Sequence, residues 1–329
     1  MEINLLGLEP HKVSRDLRGY SVFFYGEPKS GKTTIASKFP NALLLAFEKG
    51  YNALAGVMAQ PINSWAEFLK VWKQLKDEKV KEKFETIIID TTDIAYDYCS
   101  KFICSNNGVD TIGDIPYGKG YTLVAAEFDE KLRAIVQMGY GIVLISHATD
   151  KSFKDENGDE YNKIVPTLDK RANNIVARMT DIIGYSRAVT DQEGNNKTIL
   201  FMRGTQRFEA GSRFKYTPDY IEFTYDNLVN ALADAIDRQA EEDGKELFTD
   251  KRENAYADTS SHYDFDELMK EFKTIIDKFS VDEEKMANYY APRITEIIDK
   301  YLGKGKKVNE MNRDQVEQLV LIIDDLKTL

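Results

Sequence analysis

Apolar positions follow two rhythms along this chain. Up to His147, unbroken apolar runs of strand length alternate with stretches that repeat every three or four residues. The runs are Ser21 to Tyr25, Ala42 to Phe47, Phe84 to Asp90 and Tyr140 to His147. None alternates apolar with polar, as expected of strands covered on both faces. Between the second and third, Trp65, Phe68, Leu69, Trp72 and Leu75 repeat at helical spacing behind the capping box Ser64-x-x-Glu67. Helices are also expected over 93–103 and 121–138. Strands separated by helices at this spacing predict an α/β fold, with a mostly parallel sheet flanked by helices.

Beyond His147 the rhythm changes. Lys151 to Pro166 reads as a hairpin around Asn157-Gly158, followed by a helix from Asp169 to Met179. A second hairpin is expected from Ile182 to Val189 and Lys197 to Arg203, turning at Asp191 to Asn196. A strand (Tyr220 to Tyr225) and an amphipathic helix (Asn227 to Glu241) close the first domain, 1–241. Its opening residues, with an apolar stretch from Ile3 to Leu8, read as an arm. Residues 242–262 are polar and read as a linker. Residues 263–329 read as a small helical domain, with apolar stripes at Phe265, Leu268, Met269, Phe272, Ile275, Ile276 and Phe279, and at Val316, Leu319, Val320, Ile323 and Leu326. Ser280-x-x-Glu283 is expected to cap its second helix and Pro292 to kink or break it.

The first apolar run leads into Gly26-Glu27-Pro28-Lys29-Ser30-Gly31-Lys32-Thr33-Thr34, which matches G-x-x-x-x-G-K-[ST]. With a strand before it and a helix expected from Lys32 to Pro40, this is a phosphate-binding loop. Two glycines let the backbone curl its N–H groups toward phosphate oxygens, and the helix adds its positive end. Lys32 is expected on the β- and γ-phosphates of ATP and the Thr33 hydroxyl on Mg²⁺. The other strands also end in polar residues: Glu48, Asp90, and Ser146 with His147. In an open parallel sheet these ends share one edge, where ligands bind. Asp90 is the expected second Mg²⁺ partner, Glu48 the acceptor of a proton from the attacking water, and His147 a sensor of the γ-phosphate. A solvated loop carboxylate and a backbone-satisfied histidine are the competing readings of the last two. Arg203, Arg207 and Arg213 lie on one basic stretch and are candidates for the extra cation that hydrolysis draws on, with a solvated loop or DNA contacts as the alternatives.

Composition narrows the setting. Of 329 residues 42% are hydrophobic, enough for a large core, yet no apolar run reaches the ~20 residues of a membrane span. The N-terminus lacks the basic region of a secretory signal. Cys99 and Cys104 are too few for a disulfide framework, and His11, His147 and His262 give no zinc pattern. A cytoplasmic setting is expected. The net charge is −11, with 14 basic against 22 acidic residues in 241–329. The remainder is close to balanced, so charge neither supports nor excludes a polynucleotide partner.

The order of these motifs resembles the RecA/RadA recombinase core. The wording Gly-Tyr-Ser-Val-Phe-Phe-Tyr-Gly-Glu-Pro-Lys-Ser-Gly-Lys-Thr-Thr, with Ile-Ser-His-Ala148 later, is most similar to the phage-encoded RecA-like P-loop proteins of the Sak type, over about residues 12–240. The resemblance implies an ATPase, DNA-stimulated, associated with single-strand annealing or recombination and assembling into rings or filaments. It implies Glu48 as the catalytic carboxylate and Asp90 as the second acid of the nucleotide site. His147 stands where recombinases usually place an amide. Single-stranded DNA would meet about 108–120 and 151–173, which with the bordering Tyr121 hold Tyr117, Lys119, Lys151, Phe153, Lys154, Lys163, Lys170 and Arg171 but also Asp155, Glu156, Asp159 and Glu160. The alternative is an ATP-regulated scaffold or loader of phage replication, docking a partner through its acidic C-terminal helices without touching DNA.

Overall fold

The computed structural model describes residues 6, 10–190, 193–252 and 263–329. The apolar stretch from Ile3 to Leu8 (Leu6 apart), the first two residues of the turn at 191–196, and linker residues 253–262 lie outside the described residues. The chain divides into two compact units, one within Asn4–Asp258 and the other within Thr259–Leu329.

The first unit begins with β1 (Val13–Ser14), β2 (Ser21–Gly26), α1 (Lys32–Ala36), β3 (Ala42–Ala46), β4 (Ala59–Pro61), α2 (Trp65–Gln74), α3 (Glu78–Lys83) and β5 (Thr86–Asp90). Then come α4 (Thr92–Asn106), α5 (Lys119–Gln137), β6 (Gly141–Lys154), β7 (Glu160–Pro166), α6 (Lys170–Met179), β8 (Ile182–Thr190) and β9 (Asn196–Phe201). It closes with β10 (Gly211–Ser212), β11 (Tyr220–Glu222), α7 (Tyr225–Asp243) and β12 (Phe248–Thr249). The main sheet runs β11-β9-β8-β2-β6-β5-β3-β4. From β8 to β4 every neighbour is parallel, while β9 and β11 are antiparallel additions. One strand, β6, separates the strand bearing the phosphate loop from the strand ending in Asp90. This is a RecA-like fold.

Side-chain alternation divides the buried strands between two cores. Phe23, Tyr25, Leu45, Ile87, Ile89 and Leu144 face Trp65, Phe68, Phe128 and Leu132 of the helices on one side. Val22, Phe24, Leu44, Ile88, Val143 and Ile145 face Ile35, Phe39, Leu232 and Ile236 on the other. Both faces are covered, so no polar alternation survives in the sequence of these strands.

Several expectations are corrected. α1 stops at Ala36 rather than near Pro40, because Lys38 and Phe39 N–H groups bond the Ile35 and Ala36 carbonyls in tighter turns. The second hairpin is present as the antiparallel pair β8–β9, but it is built into the main sheet, because β8 also lies parallel beside β2. The Ser64 hydroxyl does cap α2, but the Glu67 carboxylate accepts from Asn63 N–H rather than from Ser64. The described part of the linker belongs to the first unit: β12 pairs with β1, and Arg252 reaches Glu85 and the Gly139 carbonyl.

The second unit comprises α8 (Phe265–Phe279), α9 (Glu283–Lys285), α10 (Ala291–Leu302) and α11 (Val316–Lys327) around Ile294, Leu319, Ile322, Ile323 and Leu326. Ser280 is still helical (φ −77°, ψ −8°) and its hydroxyl donates back to Ile276, so Asp282 caps α9 instead. Pro292 closely follows a π-helical stretch, Met286–Tyr290, that joins α9 to α10, so the regular helix is interrupted just before it.

Candidate functional site

The phosphate loop leaves β2 at Gly26. A Cβ there would lie 2.2 Å from the Ser186 carbonyl oxygen of β8, so only glycine lets these strands approach. Gly31 takes a left-handed conformation (φ +82°) to start α1. The Ser30 hydroxyl meets the Ser186 hydroxyl at 2.7 Å, tying the loop to β8. The exposed residues Glu27, Pro28, Lys29 and Thr34 edge the loop, while Ser30 and Lys32 are buried. Lys32 Nζ donates to the carbonyls of Gly26 (3.1 Å) and Glu27 (2.8 Å). Burial lowers its pKa to about 8 despite the opposing pull of Asp90 and Glu48. α1 has only five residues, so attraction for an anion falls mainly on the loop N–H groups and Lys32 rather than on a long helix dipole.

Parallel pairing brings the other strand ends level with the loop: Gly26 is in register with His147, and Ala46 with Asp90. The Phe47 and Glu48 N–H groups donate to the Asp90 carbonyl (2.7 and 3.2 Å), fixing the end of β3 against β5. Thr33 Oγ1 donates to Asp90 Oδ2 at 2.7 Å. A Cβ on Gly50 would lie 3.4 Å from Glu48 Oε1, 3.7 Å from Asp90 Oδ2 and 3.8 Å from Thr33 Oγ1. Glu48 Oε1, Asp90 Oδ2 and Thr33 Oγ1 are therefore all within 4 Å of one position beside Gly50, which gathers three ligand-type oxygens next to the phosphate loop. Asp90 is 2% exposed, and burial raises its pKa to about 6. Its Oδ1 is buried without a hydrogen-bond partner. An orphaned carboxylate oxygen beside a threonine hydroxyl fits Mg²⁺, which prefers one or two protein oxygens plus phosphates and water. Among the described residues no cluster of three or more His, Cys, Asp or Glu forms a metal cage.

Glu48 and His147 meet, with Oε2 and Nε2 3.3 Å apart. The contact with His147 holds Glu48 below the usual carboxylate range, and the contact with Glu48 raises His147. Sequence reasoning passed over Asp93, whose Oδ2 accepts from Thr167 Oγ1 at 2.6 Å while its Oδ1 is unpaired. It also gave Gly50 and Ser186 no role. Asp93 lies three residues past Asp90, in the first turn of α4, where an acidic residue carries no distinctive signal.

The three arginines do not act alike. Arg203 donates to the carbonyls of Phe214 (2.9 Å) and Lys215 (2.7 Å) and bridges its own loop. Arg213 donates to the Arg178 carbonyl (2.7 Å) and pairs with Asp181. Arg207 is exposed. Arg171, within the second segment linked with DNA, holds its guanidinium 4.7 Å over the ring of Tyr121, the residue that follows the first. Tyr117 is almost wholly exposed.

A strand-loop-helix holding Lys32 and Thr33, opposite a buried Asp90 one strand away, defines a P-loop nucleotide-binding protein. The chain belongs to the AAA domain family, whose model matches residues 18–214. It is 34% identical, over all of its length and 99% of the relative's, to the SPbeta prophage-derived uncharacterized protein YorG of Bacillus subtilis (strain 168). The crystal structure of the flagellar accessory protein FlaH from Methanocaldococcus jannaschii aligns with 66% of this chain and 95% of that one, at 12% identity and a TM-score of 0.33. Among the described residues no helix is long and apolar enough to cross a membrane.

Proposed function

We propose that this chain is a phage- or prophage-encoded ATPase that binds single-stranded DNA and promotes annealing or recombination, working in the bacterial cytoplasm. The observation carrying the catalytic part is the gathering of Glu48, Asp90 and Thr33 oxygens beside Gly50 and the phosphate loop, with Thr33 bonded to Asp90. The loop N–H groups bind the triphosphate, and Lys32 exchanges its bonds to the Gly26 and Glu27 carbonyls for the β- and γ-phosphates. Thr33 and Asp90 would hold Mg²⁺, which when bound neutralises charge on the β- and γ-oxygens. Glu48, released from His147, accepts the proton of the water attacking the γ-phosphorus.

For DNA, support comes from the resemblance to recombinases and from the contact of Arg171, in the second aromatic–basic segment, with Tyr121, which borders the first. Self-association with ATP between copies belongs to the same reading. The test is ATP turnover by wild type and Glu48→Gln, each with and without an oligo-dT strand. Turnover should rise with the strand in wild type and fall about 10²- to 10⁴-fold in the variant, with nucleotide affinity retained. Turnover by Glu48→Gln within a few-fold of wild type would remove Glu48 from the chemistry. The acidic C-terminal unit favours the scaffold reading, and an absence of oligo-dT binding even at low salt would decide for it.

A further inference from the structure

A second cleft, sharing no lining residue with the nucleotide site, opens between the β6–β7 hairpin and the loop after β9. It measures about 520 Å³ and is lined by Asp150, Tyr161, Asn162, Ile164, Arg187, Gln206, Arg207 and Phe208. That volume lies within the range of small-ligand sites. Among the described residues neither Arg187 nor Arg207 has a carboxylate within salt-bridge distance, unlike Arg15, Arg18, Arg213 and Arg252. Two unpaired guanidiniums converging on one cleft are suited to an oxyanion, which each fork can hold through two N–H groups. Asp150 offsets one of the two charges and leaves the cleft at +1.

We propose that this cleft binds a phosphate group, gripped by Arg187 and Arg207, and that the group is a phosphodiester of single-stranded nucleic acid. Tyr161 and Phe208 line the same cleft and offer ring faces on which bases flanking a phosphodiester can stack, which a free phosphate would not use. Arg187 and Arg207 are both exposed, so a polymer can reach them. Arg207 is thereby assigned to this site rather than to a neighbouring copy's ATP.

The cleft is wired to the phosphate loop twice. Arg187 adjoins Ser186, whose hydroxyl meets Ser30 at 2.7 Å. Phe208 adjoins Glu209, whose N–H donates to Tyr25 Oη (3.0 Å) and whose carbonyl accepts from it (2.5 Å), and Tyr25 directly precedes Gly26. Occupancy of the two sites is therefore coupled, and reciprocally so. The coupling rests on the ATP reading above, whereas the phosphate grip does not.

The experiment uses full-length wild type, Arg187→Gln, Arg207→Gln and the double variant, with labelled oligo-dT, inorganic phosphate and a fluorescent ATP analogue as probes. Thermal melts confirm that the variants fold. The double variant should bind oligo-dT at least about tenfold more weakly, and its log–log salt slope should shrink by about 0.7, the value for one lost phosphate contact on a single strand. Binding of the ATP analogue should stay within about twofold. If wild type binds no oligo-dT but holds inorganic phosphate through the same arginines, the cleft stands with a free phosphate as its ligand, and the DNA reading falls. If oligo-dT and phosphate binding are unchanged in the double variant, or wild type binds neither, the cleft proposal is overturned. In the first of these cases the DNA reading survives. Tyr25→Phe should weaken the effect of the ATP analogue on oligo-dT affinity; an unchanged effect would sink the wiring and leave the grip.

Discussion

The two edges of the central sheet treat their charges in opposite ways. At the amino edge, before β2, β5 and β6, ionic groups are fully partnered. Glu85 accepts from Arg18 (3.0 Å), Asn41 (2.8 Å) and Arg252 (3.4 Å), Arg18 also pairs with Asp16, and Arg252 continues to the Gly139 carbonyl. Among the described residues, the hydroxyls of Ser21 and Thr86 are the side-chain groups buried there without partners. At the carboxyl edge, Asp90 Oδ1, Asp93 Oδ1, His147 Nδ1 and the hydroxyls of Thr91 and Thr92 are all buried and unpaired. An unpaired buried carboxylate oxygen is far costlier than a hydroxyl. One edge spends its charges on folding, and the other keeps them available for a ligand.

The largest test of this contrast is Asp90→Asn. Burial lifts Asp90 to about 6, whereas its unfolded value is about 3.9. Between these values the native state binds more protons than the unfolded chain, so stability falls as pH rises through that window. The full cost at pH 7 is about 3 kcal/mol, to order of magnitude. In metal-free buffer the Asn variant should lose this slope and gain stability at neutral pH, while losing Mg²⁺-dependent nucleotide binding. Denaturant melts from pH 4.5 to 7.5 give the answer, and an Asn variant that is less stable at pH 7 would erase the contrast.

Glu85→Ala should do the reverse. Removing the acceptor shared by three donors should cost about 2 kcal/mol of stability and leave nucleotide affinity as it was. A loss of affinity would show that the edges are not separate.

The smallest effect is expected from His147→Gln. The Glu48–His147 ion pair exists above the lowered value of Glu48 and below the raised value of His147. It is lost as pH rises through the latter, which frees Glu48. Wild-type turnover should climb a few-fold across that limb, and the Gln variant should show a flatter profile. Identical pH–rate curves would remove His147 from control of Glu48.

Much of the first unit was legible because buried parallel strands write themselves as unbroken apolar runs, and because the phosphate loop has a fixed spacing. Glu48 and Asp90 could be found because both end such runs. Ser186 could not be found, because its meeting with Ser30, 156 residues earlier, depends on the order of strands in the sheet. Asp93 was hidden because an acidic residue in the first turn of a helix is commonplace. The basic stretch 203–213 read as free charge, yet Arg203 and Arg213 are held by backbone carbonyls that no residue pattern announces. A two-residue strand such as β12 has no periodicity to detect.

That short pairing of β12 with β1 decides how the protein can be taken apart. A fragment ending at residue 241 would leave Val13 and Ser14 without their strand partner and Glu85 without Arg252, and would strip Arg15 of Asp250. A stop placed after Arg252 retains all of these, so any separation of the first unit from the helical one should begin there.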